Sequence, residues 1–132
     1  MRRADVRLLL AMAVSPALIP TARAEFLQPP AAPLADGATL FVNQCGVCHS
    51  LNADDPPRQG PLLKGVVGRR AGTLPGFRYS PGFAKADFIW DEPHLDRWLT
   101  DPQALIPGAV MLYRQSDPAV RARIIGFLKE QR

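Results

Sequence analysis

Cys45-Gly46-Val47-Cys48-His49 places two thiols three residues apart, with an imidazole directly behind the second. On a helical segment that spacing lets both sulfurs reach the two vinyl-derived carbons along one edge of a porphyrin. The adjacent histidine is then aimed at the iron from below the ring. C-x-x-C-H is the attachment signature of c-type haem. Three other readings compete: a redox dithiol, half of a zinc site, and a disulfide. Zinc would want two further Cys or His ligands, and outside the motif only His94 remains. A thioredoxin-like dithiol needs a βαβ framework, for which no strand alternation is present.

Outward from the motif, the chain is punctuated rather than periodic. Asp36 is placed to cap a helix whose apolar face is Leu40, Phe41 and Val47. From Ser50 to Lys85 the sequence is dense in Gly, Pro, Asp and Ser. Thirty-odd residues without a pattern are anomalous in a small domain unless something large gives them a surface to wrap. A haem disc supplies that surface, and two thioethers staple the chain to it. Asp91 opens a second helix carrying Leu95, Trp98 and Leu99, expected to end near Asp101-Pro102. Asp117-Pro118 pairs an N-cap with proline at the first helical position. Behind it, Val120, Ile124, Phe127 and Leu128 make one apolar face of a terminal helix. The expected fold is all-α: three main helices plus long loops wrapped around one covalently bound haem.

The first 24 residues read as an address. Arg2, Arg3 and Arg7 precede an apolar run from Leu8 to Ile19, too short for the ~20 residues that span a bilayer. Ala22-Arg23-Ala24 supplies the small-x-small pattern of a signal-peptidase site. The expected organisation is a signal peptide at 1–24, a flexible Pro/Ala-rich leader at 25–35 and one domain at 36–132. An exported, periplasmic chain with no stable membrane insertion after cleavage follows, and covalent haem attachment takes place after translocation. The basic excess also belongs to the address: the whole 132-residue chain has net charge +4. Four arginines against Asp5 account for +3 of it, leaving twelve basic and eleven acidic side chains beyond residue 24. A nucleic-acid partner is therefore not expected. Fourteen prolines and ten glycines argue against a long-helix bundle, and two cysteines exclude a multi-disulfide framework.

The second axial ligand emerges by elimination. Met1 and Met12 leave with the address, so a single methionine stays, in Ile106-Pro107-Gly108-Ala109-Val110-Met111. Methionine is ordinarily core filler. Here it sits in a Pro/Gly-stiffened loop between two helices, which suits holding a side chain at a fixed point. The other candidate, His94, lies beside Glu92 and Asp96 and reads as a solvated helix-surface histidine.

With these residues in hand, the sequence resembles a class I cytochrome c of the mitochondrial and bacterial c2-like type, from about Asp36 to Lys129. Asp36-Gly37 through Phe41 is similar to that family's first helix, whose glycine and aromatic meet the last helix, here at Ile124 and Phe127. Gly60-Pro61-Leu62-Leu63-Lys64-Gly65-Val66-Val67-Gly68-Arg69 resembles its G-P-x-L-x-G-x-x-G-R run. The resemblance implies that the Pro61 carbonyl accepts from His49, fixing the ring and raising its basicity. It implies, too, that Arg69, Tyr79 and Trp90 hold the inner haem propionate.

Several positions depart from the family pattern. Trp98 stands where a tyrosine usually bonds the methionine sulfur, and Ala109 replaces a common threonine. Gln103, Ala104 and Val110 occupy positions that are lysines in mitochondrial proteins, so the basic ring is largely missing. The expected function is a monomeric electron carrier that is not an enzyme: no catalytic acid–base pair, nucleophile or phosphate loop is recognisable. Its redox protein donor and acceptor would come from the class of dehydrogenases, bc1-type complexes, oxidases or reaction centres. Two alternatives stand beside it: a dedicated haem subunit of a periplasmic dehydrogenase or oxidase complex, and a peroxidase or gas sensor in which Met111 dissociates.

Overall fold

The Asp36 carboxylate accepts from the Thr39 N–H at 2.7 Å, satisfying one of the unpaired donors that open a helix. Behind that cap runs α1, Gly37–Gln44, in a computed structural model that describes residues 33–132. The expected signal peptide, with Met1 and Met12, and residues 25–32 of the expected leader lie outside the described residues. Three more α-helices follow: α2, Glu92–Thr100; α3, Pro102–Leu105; and α4, Pro118–Glu130. A 3-10 helix, Pro81–Lys85, closes the long loop region. Among the described residues the only β-pairing is an isolated antiparallel bridge, Arg70 with Ile89. The fold is all-α.

Asp91, Asp101 and Asp117 each cap a helix whose first residues include proline. Proline suits that place because its missing N–H would be unpaired there anyway. The helix α3 was not expected. Asp101-Pro102 does end α2, but the Asp101 carboxylate also accepts from the Gln103 and Ala104 N–H groups and starts a further turn.

The first and last helices meet where glycine lets them. A Cβ added at Gly37 would lie 2.7 Å from Phe127 Cβ and closer still to the Arg123 carbonyl oxygen. The Phe41 and Phe127 rings pack beside that crossing with centroids 5.4 Å apart. Burial along α4 departs from the expected stripe. Val120, Ile124 and Leu128 are buried, Phe127 is only half-buried, and Ile125, off the stripe, is buried as well. The reason is that α4 packs against both α1 and α2, so more than one face is covered. Val47, expected on the apolar face of α1, is instead 73 % exposed. The helix ends at Gln44, and the chain turns through Cys45 and Gly46, whose N–H groups both donate to the Phe41 carbonyl at 2.8 Å.

Candidate cofactor site

That turn after α1 continues through the C-x-x-C-H segment, with the His49 N–H donating to the Cys45 carbonyl at 2.9 Å. Cys45 is buried, Cys48 is exposed, and no disulfide joins them. Burial pushes the Cys45 thiol up to about 11. A thioredoxin-like dithiol needs a βαβ framework, and the described residues hold no strand beyond one isolated bridge, so that reading loses its scaffold. Among the described residues no group of three or more Cys, His, Asp or Glu could hold a metal ion, which removes the zinc reading.

His49 is fixed from behind. Its Nδ1 lies 2.8 Å from the Pro61 carbonyl oxygen. A carbonyl only accepts, so Nδ1 carries the proton and donates, and the lone pair is left on Nε2. Burial drives the ring toward its neutral form, with the Pro61 hydrogen bond acting in the other direction. Gly60 makes the approach possible. A Cβ there would fall 2.8 Å from His49 Nε2 and nearer still to its Nδ1 and Cε1. The glycine of the G-P-x-L run is thus a seat for the imidazole, a role the sequence reading did not assign.

One cavity of about 440 Å³ gathers the candidates. Cys45, Cys48, His49 and Met111 line it, and so do Pro61, Arg69, Tyr79 and Trp90. The structure therefore brings together all eight residues singled out from the sequence. Met111 arrives on the segment after α3, half-buried between the exposed side chains of Val110 (74 %) and Leu112 (80 %). Trp98 is buried in the cavity wall, with Phe83 and Trp90 packed edge-on at centroid distances of 5.7 and 5.5 Å. Tyr79 packs on Phe83 at 4.8 Å, and its hydroxyl oxygen accepts from the Leu74 N–H at 3.3 Å.

Arg69 brings charge to this apolar wall. It donates to the Leu62 carbonyl at 2.9 Å, and burial pulls its pKa down. Among the described residues no carboxylate lies within ion-pair distance of it. A half-buried cation without a counter-charge suits an anionic substituent on whatever fills the cavity. Two free thiols, an imidazole with a free Nε2, a thioether, aromatic walls and this guanidinium together fit haem c.

His94 is placed elsewhere. It is not solvated as expected: the ring is half-buried, stacks on Phe88 at 4.4 Å, and its Nδ1 lies 2.6 Å from an Asp91 carboxylate oxygen. Its polar neighbours are engaged by other residues, Glu92 by Lys129 and Asp96 by Arg121.

A sequence model of the cytochrome c family matches residues 34–131. The chain belongs to the cytochrome c family. Family members are haem-based electron carriers, and this chain is similar to bacterial and plant relatives alike. It is 44 % identical over 96 residues to cytochrome c2 iso-2 of Magnetospirillum fulvum, covering 72 % of this chain and 98 % of that one. Identity to cytochrome c2 of Rhodomicrobium vannielii is 39 % over 96 residues, covering 72 % and 76 %. To cytochrome c of Sesamum indicum it is 35 % over 108 residues, covering 81 % and 97 %. No helix among the described residues is long and apolar enough to cross a membrane.

Proposed function

We propose that this chain is an exported, periplasmic monohaem electron carrier, cleaved after Ala24, with haem c held covalently by Cys45 and Cys48. His49 and Met111 would supply the two protein ligands to its iron. The observation that carries the reading is the convergence of both cysteines, His49 and Met111 on one cavity. When bound, the haem supplies a one-electron Fe(III)/Fe(II) couple, whose potential a thioether ligand raises by favouring the reduced form. Pro61 holds the imidazole in the tautomer that presents Nε2. Arg69, Tyr79 and Trp90 would take a propionate of that group, and Phe83 and Trp98 would keep water from the apolar wall.

With His49 and Met111 both bound to the iron, no position on it would be left for a substrate. Electrons therefore pass by outer-sphere transfer, and the chain is a carrier, not an enzyme. Its donor and acceptor are redox proteins of the dehydrogenase, bc1-type, oxidase or reaction-centre kind, met by a monomer. The surface beside Met111 offers Val110 and Leu112, not a lysine ring, so recognition there is apolar.

The near-infrared Met–Fe(III) charge-transfer band of the ferric holoprotein tests this. The unmodified protein shows it, Met111→Ala loses it with a lower potential, and His94→Ala changes neither. An unmodified protein without the band, or a His94→Ala protein without a low-spin spectrum, contradicts the ligation.

A further inference from the structure

Met111 sits in a stretch of chain that the backbone does not hold. The Ala109 N–H donates to the Ile106 carbonyl at 3.1 Å, and the next backbone donor to be paired is Gln115, to the Leu99 carbonyl at 2.7 Å. Between them, no backbone N–H of residues 110–114 donates to a described residue. Side chains take over at both ends. On the near side the Gln103 amide spans the loop: its Oε1 accepts from the Gly108 N–H at 3.3 Å and its Nε2 donates to the Ala109 carbonyl.

On the far side three neutral residues converge. The Tyr113 hydroxyl donates to Gln44 Oε1. Gln115 Nε2 donates to the same oxygen at 2.9 Å and to the Tyr113 hydroxyl oxygen at 3.3 Å. Gln115 is itself a fixed post. Besides the bond to Leu99, its Oε1 accepts from the Asp117 N–H at 3.0 Å and its carbonyl from Arg121 at 3.0 Å. Gln44 is the last residue of α1, directly before Cys45, and both Gln44 and Tyr113 line the cavity.

We infer that Gln44, Tyr113 and Gln115 form a clasp that fastens the Met111 segment to the end of α1 and holds Met111 in place. They are positioning residues, and the inference rests on the reading of Met111 as an axial ligand. Only Leu112 separates Met111 from Tyr113, so for Met111 to swing away Tyr113 must leave Gln44, and among the described residues no backbone hydrogen bond of residues 110–114 shares that load. A hydrogen bond is strongly directional, so the clasp fixes where the segment lies as well as how firmly it is held. None of the three side chains is charged, so salt does not loosen it.

The test is the rate at which imidazole displaces Met111 from the ferric holoprotein, followed by loss of the near-infrared band. At saturating imidazole that rate is the opening rate of the segment. Tyr113→Phe, which removes only the hydroxyl, should raise it about fivefold, the loss of one ordinary hydrogen bond. Gln44→Leu should raise it similarly. The double variant should be no faster than the faster single one, since each change breaks the same contact. Gln44→Glu keeps an acceptor oxygen at the same reach and should return the rate to within twofold of the unmodified protein. Unchanged rates in Tyr113→Phe and Gln44→Leu, with the band intact, overturn the clasp alone, and so do single effects that multiply in the double variant. An unmodified protein lacking the band overturns the ligation reading and the clasp with it.

Discussion

Replacing Gly37 by alanine adds one methyl group at the crossing of α1 and α4. The new Cβ would sit 2.7 Å from Phe127 Cβ, about 0.7 Å inside the 3.4 Å at which ordinary contact begins, and still closer to the Arg123 carbonyl oxygen. Neither atom is the end of a flexible side chain, so relief requires α1 to shift bodily off α4. The shift loosens the Phe41–Phe127 ring contact and the buried Leu40 and Ile124 beside it. Overpacking of this kind costs about 1–3 kcal/mol, and more where backbone must move. Alanine's better helix propensity returns about 0.5–1 kcal/mol. The net loss should be about 2 kcal/mol, some thirtyfold in the folding equilibrium. Gly126 is the control, because no heavy atom lies within 4 Å of a Cβ there. Gly126→Ala, on the same helix pair, should gain about 0.5–1 kcal/mol. Urea denaturation of the ferric holoproteins, read by circular dichroism, separates the two by midpoint at constant slope. A Gly37→Ala midpoint at or above that of the unmodified protein refutes the close crossing, as does an equal fall in both variants.

Three further outcomes are expected. Phe127→Ala should cost about 2–3 kcal/mol, below the 3–5 of a fully buried ring because this one is half-buried; an unchanged urea midpoint contradicts the docking. The Thr39 N–H bond holds Asp36 below its usual carboxylate value, so its contribution is present above about pH 4 and is lost as pH falls through the depressed folded value. Asp36→Asn keeps the cap without the charge, so its stability deficit should shrink as pH falls from 7 toward 3; a deficit constant across that range refutes the linkage. Electron transfer to the natural partner should depend weakly on salt, given twelve basic against eleven acidic side chains beyond residue 24. Stopped-flow rates falling tenfold or more between ~10 and ~200 mM salt would reveal a concentrated charged patch instead.

Local signals carried most of the fold. Caps and first-turn prolines act within three residues, so Asp36, Asp91 and Asp117 marked helix starts that the structure shares. The same chemistry misled once, at Asp101-Pro102, because one aspartate serves as both the end of α2 and the start of α3. Val47 continued a helical spacing that the chain abandons at Cys45, where the turn aims the cysteines and His49 into the cavity. His94 read as solvated because its neighbours on the helix are polar, whereas the ring that covers it, Phe88, stands six residues upstream, outside α2 and its helical spacing. The candidate site was legible because its residue types are chemically rare in this sequence: two cysteines, two histidines, and one methionine beyond the address. Gln44, Tyr113 and Gln115 carry no such mark. Gln44 and Tyr113 stand 69 residues apart, and uncharged side chains paired over that distance leave no periodicity or charge pattern to read. Gly60 was visible inside a motif, but only the packed ring of His49 reveals what it makes room for.

The central claim is that one haem is bound covalently through Cys45 and Cys48. Intact mass of the purified protein after acid-acetone extraction, which removes haem that is not covalently attached, tests it most directly. The predicted mass is that of a chain beginning at Glu25 plus one haem, with Cys45→Ser/Cys48→Ser losing the haem. A single species at the mass of the bare polypeptide, its haem recovered in the acetone, would contradict the account.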